Sequence, residues 1–288
     1  MIPRFLSLFL SRDYKLVSVN TERPLMRIVF ISRITGFVAA IFILLFSCGK
    51  KSEIITTEPL GDYLPVVTGK YITYRVDSLI YTNFGRSSEI HKYQVKHVVD
   101  ALITDNLGRP SYRVYKYIRD SVNATSWTPA QPWVNAGSYF FTIQDDNIEM
   151  IEDNLRIVKL HIPIRDGFHW RGNSHMPDNP YSSKFTFSND DDIQTWDFTF
   201  DGLPDIFTYR GNTYNDVQSV EEEDFTANVP VSDPTDYGSI SRSVEKYAKG
   251  IGLVYREYTL WEYQPNPGGS GGPYYSGFGL TQWMIDHN

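Results

Sequence analysis

The fold class predicted from the sequence is mainly β: a single antiparallel β domain, a curved sheet that is half-barrel or sandwich-like, with few or no helices. Three observations predict it. Tyr, Phe and Trp make up 15% of the 288 residues, and aromatic and β-branched side chains suit a pleated, half-buried surface. Side chains alternate at a period of two through stretch after stretch. Little Ala or Leu is present to favour helices, and Gly, Asn, Asp and Pro fall between the alternating runs, where strands must turn.

Taken in order, Tyr71–Val76 alternates and continues toward Tyr81. A turn at Gly85–Ser88 leads into Ile90–Ile103, and Asp105–Gly108 leads into Tyr112–Arg119. Three strands joined by short turns make an antiparallel meander. Trp127–Trp133 holds two prolines and reads as a loop. Ser138–Gln144, Ile148–Ile151 and Leu155–Ile162 read as strands, the last ended by Pro163. Asp166–Pro180, rich in Gly, Asn, Pro and His, reads as a long surface loop. Gln194–Phe200 alternates, Phe207–Gly211 and Tyr214–Val220 form a pair, and the like charges of Glu221–Asp224 are expected to close that ladder. Lys246–Glu257 leads into Tyr258–Tyr263, and a Pro/Gly loop precedes a final strand, Phe278–Ile285. About a dozen strands result, with no exact repeat.

The address of the protein is written around its single cysteine. Ile34–Phe46 is an apolar run of 13 residues behind Arg27 and Arg33, whereas a membrane-spanning helix needs about 20. A basic region followed by a short apolar one is the layout of an export signal. Leu45-Phe46-Ser47-Cys48 resembles the lipobox of bacterial prolipoproteins, although Phe46 is larger than the usual residue there. That resemblance implies that Cys48 is acylated and becomes the mature N-terminus, so that membrane lipid is the first partner. The expected organisation is residues 1–25 as an extension ahead of the true start at Met26, 26–47 as signal peptide, 48–60 as a polar lipidated tether, and 61–288 as the β domain. The expected location is the outer membrane, facing periplasm or cell surface.

Charge narrows the partners. The whole chain carries −7; removing 1–47 takes Lys+Arg from 27 to 21 and Asp+Glu from 34 to 32, leaving −11. An acidic body is a poor match for nucleic acid, which attracts basic surfaces, and anionic lipid would not draw it either. Attachment would rest on the acyl chains, and the remaining partner would be a glycan or an envelope protein.

Tyr209-Arg210-Gly211-Asn212-Thr213-Tyr214-Asn215-Asp216-Val217, followed about thirty residues on by Tyr247-Ala248-Lys249-Gly250-Ile251-Gly252-Leu253-Val254, resembles a pattern of uncharacterised Bacteroidetes lipoproteins. The resemblance implies that the two segments pair in a curved sheet or half-barrel on a lipid tether, and it brings no catalytic residues. Read on their own, Gly250 and Gly252 interrupt a strand at alternate positions, where a missing side chain permits a bend or close packing.

No coherent catalytic constellation emerges. Gly268–Gly272 formally fits G-x-S-x-G, but flanking Pro267 and Pro273 deny it the strand and helix of a nucleophile elbow. His161, His169 and His175 are spaced more widely than zinc ligand pairs. Asn189–Asp192 clusters oxygen ligands, with Asp190 and Asp192 the candidate cation ligands, yet lacks the Gly and Glu of an EF-hand loop. Nothing implies a cofactor. Trp127, Trp133 and Trp170 stand in loop-like or strand-end contexts, where a ring can stack on a sugar or peptide, although packing explains them as well. The reading is a non-enzymatic binding or envelope-assembly module. The alternative is a surface glycan or ester hydrolase whose carboxylate pair only separation in space can place.

Overall fold

The computed structural model describes residues 57–120, 132–266, 268–269 and 271–288. Cys48, Trp127 and Ser270 lie outside the described residues. The described residues belong to one compact unit.

Twelve antiparallel strands form one sheet: β1 (Tyr71–Thr82), β2 (Ser87–Thr104), β3 (Pro110–Asp120), β4 (Val134–Ile143), β5 (Asn147–Glu152), β6 (Leu155–His161), β7 (His169–Trp170), β8 (Phe198–Tyr209), β9 (Asn212–Ala227), β10 (Gly238–Ala248), β11 (Gly252–Gln264) and β12 (Tyr274–His287). Their order is β6-β5-β4-β3-β2-β1-β12-β11-β10-β9-β8-β7. Adjacent strands are thus consecutive in sequence except β1 and β12, which pair and join the two ends of the strand sequence, with Val76 opposite Gln282. The edges left over, β6 and β7, are consecutive in sequence and nearly close the sheet into a barrel. Val158 N–H donates to Gly172 O at 2.8 Å and Trp170 Nε1–H donates to Val158 O at 2.8 Å. Closure of this kind leaves little edge free to pair with another chain.

Among the described residues helix is nearly absent, as the composition predicts: α1 (Leu60–Tyr63) is one turn, and Ile193–Thr195 is a 3₁₀ turn. Three local expectations are corrected. The strand expected from Gln194 starts only at Phe198, behind that 3₁₀ turn. Glu221–Asp224 does not end its ladder, because β9 runs on to Ala227. Gly250 lies not within a strand but in the reversal between β10 and β11. Its φ of +77° is left-handed backbone that favours a residue without Cβ.

The barrel is stoppered at both ends. At the end holding the β10–β11 turn, α1 is clamped by Gly250 N–H to Asp62 O at 2.6 Å, and Leu60, Tyr63, Leu64 and Val66 are buried in the core. At the opposite end the long segment between β7 and β8 turns inward instead of lying on the surface. Tyr181 Oη meets Tyr258 Oη at 2.6 Å, the Phe185 ring packs 5.2 Å from Phe278, and Asn189 Nδ2 donates to Ile240 O. Between the two stoppers the core is dominated by Phe198, Phe200, Trp170, Val220 and Leu260. Trp170 lies 4.8 Å from Phe200 and 5.9 Å from Phe198.

Candidate functional site

Strand alternation decides what points into the barrel. Along β10, Ser239, Ser241, Ser243, Glu245 and Tyr247 share one face, and across β11 they meet Glu262, Leu260, Tyr258, Arg256 and Leu253. These are inward positions, so the small serines leave room and the charged pair Glu245–Arg256 sits inside. In β9 the register shifts opposite Ser243 and Val244. Alternation from the fully buried Val220 puts Glu222 on the inward face and Glu221 and Glu223 on the outward one, and the bulge leaves Glu222 without a register partner on β10 while its carboxylate meets the Ser243 hydroxyl.

Four charged side chains thereby converge. Lys159 Nζ, from β6, lies 2.6 Å from Glu222 Oε1 and 2.8 Å from Glu245 Oε2. The exposure of these three side chains is 4% or less. Arg256 Nε lies 3.2 Å from Glu245 Oε1. Ser243 Oγ–H donates to Glu222, and Tyr247 Oη–H donates to Glu245. Burial drives the Glu222 carboxyl above the ordinary range, only partly offset by Lys159. Burial acts on Glu245 in the same sense, but Lys159 and Arg256 outweigh it and hold that carboxyl below the ordinary range. Burial also works against the Arg256 cation, and Glu245 and Glu222 more than offset it, so its pKa is raised.

Beside this network is a half-open cavity of about 90 Å³. Val66, Tyr74, Val99, Val114, Tyr139 and Phe141 give it an apolar wall; Glu245, Lys159, Arg256, His97 and Gln282 contribute the polar groups. Leu64, Pro65, Lys70, Tyr71 and Ile251 line it at the end stoppered by α1. His97 shares a hydrogen bond between its Nδ1 and Tyr139 Oη at 3.0 Å and packs edge-on against Tyr74. Burial, with Lys116 and Arg256 nearby, lowers its pKa to about 3, so the imidazole is neutral at physiological pH.

The residues singled out from the sequence fall elsewhere. Trp133 lies over the Arg119 guanidinium at 4.1 Å, and that guanidinium donates to Gln94 Oε1. Trp170 is buried and uses its indole N–H to hold β6. Asp190 is buried and accepts the Tyr181 N–H at 3.0 Å, whereas Asp192 is exposed. His161 packs on Phe168, while His169 and His175 are exposed. Among the described residues no group of three His, Cys, Asp or Glu side chains is arranged to hold a metal ion, and no helix is long and apolar enough to cross a membrane.

Lys159, Glu222, Glu245 and Arg256 were not picked out by sequence reasoning, because each occupies an ordinary polar place in its run. One signal was present. The alternating serines of Ser239-Ile240-Ser241-Arg242-Ser243 put small polar residues on the face where a barrel interior would otherwise be filled. Scanned against models of known protein families the chain matches none, and no curated protein matches it in sequence.

Proposed function

We propose that this is a lipid-anchored envelope protein, held through acylated Cys48, whose barrel is a non-enzymatic binding module with its ligand site inside. The observation that carries the reading is the half-open, mainly apolar cavity beneath Leu64–Val66, with polar groups confined to one part of its wall. Ligand sites have this character: apolar lining with a few polar groups that fix orientation. The cavity is small, about 90 Å³, but half-open, so it suits a short ligand or the end of a longer one.

Binding of a neutral apolar probe tests the cavity. In the full-length protein in detergent, 1-hexanol is expected to bind, and Val114→Phe, which fills the wall, is expected to abolish binding while the protein stays folded. Unchanged binding in the filled variant, or no binding in the wild type, overturns the interior site. Cys48→Ser tests the anchor: loss of labelled fatty acid and of membrane fractionation is expected, and retention of both refutes it.

A hydrolase remains the second reading, for one reason. Glu222 and Glu245 are driven in opposite directions, as an acid and its partner carboxylate would be. Lys159, however, stands between them, where a water or a sugar carbon would have to sit. Loss of glycosidase or esterase activity in both Glu222→Gln and Glu245→Gln, with folding retained, would favour this reading over the first.

A further inference from the structure

The cavity wall carries cationic and amide donors whose hydrogen-bonding capacity the protein leaves partly open. Arg256 and Gln282 are register partners on β11 and β12, and cross-strand partners on one face place their Cβ atoms about 4.5–5.5 Å apart. Both line the cavity. Arg256 Nε is buried and makes no hydrogen bond, since Glu245 lies beside it out of line. No other hydrogen bond from this guanidinium, and none from the Gln282 amide, is formed with the described residues, although 22% of the Arg256 side chain remains accessible. The buried Nε is closed off by Glu245, but the terminal guanidinium nitrogens and the Gln282 amide are open to a ligand, and a guanidinium presents paired N–H groups that match a carboxylate bidentately.

The charges around the cavity agree. Lys159, Arg256 and Lys70 line the cavity with Glu152 and Glu245, and Lys116 and Glu222 pair with Glu152 and Lys159 from outside it. With His97 neutral the balance is one excess positive charge, and among the described residues Lys70 Nζ is bonded only to the Gly250 and Asn288 carbonyls. An arriving carboxylate neutralises the site, whereas an arriving ammonium would add to its charge.

We propose that the barrel interior is a binding site for a small apolar carboxylate, its head on Arg256 and Gln282 and its hydrocarbon tail against Val99, Val114 and Phe141. This rests on the interior-site reading above and names the ligand class. The tail points toward the mouth beneath Leu64–Val66, so a longer chain protrudes there while the head stays fixed.

The test compares hexanoate with 1-hexanol, which shares the tail and lacks the charge, by calorimetric titration of the full-length protein in detergent. The wild type is expected to bind hexanoate at least tenfold more tightly. Arg256→Lys, which keeps the charge and loses the paired donors, is expected to cut that preference severalfold. Gln282→Leu, which leaves the ionic network untouched and is therefore the safer variant for folding, is expected to do the same to a smaller extent. Equal affinity for the two probes overturns the carboxylate assignment while the interior site stands, as does a preference that neither variant changes. Binding of neither probe overturns both.

Discussion

Lys159→Met removes the ammonium that two buried carboxylates share. Glu245 keeps Arg256 and Tyr247, but Glu222 keeps only the Ser243 hydroxyl, so the perturbation falls mainly on Glu222. Breaking a buried pair from one side costs roughly 3–5 kcal/mol. At about 2–4 °C per kcal/mol for a domain of this size, Tm falls by about 6–20 °C at pH 7. The loss must depend on pH. A carboxyl whose folded pKa lies above its unfolded value binds its proton more tightly when folded, so stability is lost as pH rises from the ordinary glutamate range through the raised value. Glu222 is already raised in the wild type, and removing Lys159 raises it further. Urea unfolding should therefore show the variant much less impaired at pH 5 than at pH 7, and adding Glu222→Gln should restore most of the loss at pH 7. A loss under about 1 kcal/mol at pH 7, or the same loss at both pH values, would refute the network as described.

Other outcomes follow from single features. Gly277 has φ +124°, and a Cβ there would lie 2.2 Å from Leu260 O and 2.6 Å from Trp261 Cα; Gly250, at φ +77°, has open space. Gly250→Ala should cost about 1 kcal/mol of backbone strain, and Gly277→Ala distinctly more, as read by thermal denaturation. Trp170→Phe keeps an aromatic ring but loses the bond to Val158 O, at about 0.5–1.5 kcal/mol, and hydrogen exchange should speed up at Val158 before the rest of β6. The ring resonances of His97 should not titrate between pH 5 and pH 8. Its folded pKa of about 3 lies below the unfolded value of about 6.5, so its contribution to stability is full above that value and declines as pH falls through the window between them.

The strands were legible because alternation and turn chemistry are local. Asp105–Gly108 and Gly85 mark their hairpins in the sequence as they do in the structure. What stayed hidden depends on partners distant in sequence. Gly250 and Gly252 announce a break, but a bend and a reversal call for the same residue, and only the pairing of β10 with β11 distinguishes them. Glu222 stands in a run of four acids that reads as solvated; alternation from Val220 puts it on the inward face, but the Lys159 that makes a buried acid tenable there comes from β6, which no window of β9 contains. The Asp166–Pro180 loop has surface composition, and the aromatics just beyond it, Tyr181 and Phe185, are what draw the segment into the barrel. The cavity itself is a sum over strands from β1 to β12, and alternation within any one of them says only which residues face it.

The pairing of β1 with β12 sets a timetable. β1 has one permanent neighbour, β2, within a few residues, and must wait for the other until β12 is made, about 200 residues later. At roughly 5–20 residues per second, that interval is about 10–40 s, during which the row of backbone groups on β1 destined for β12 stands open. The cavity likewise has no complete wall until Gln282 is in place. This barrel is therefore finished by β12, which is not an appendage but the strand that, paired with β1, joins the two halves of the sheet's strand order.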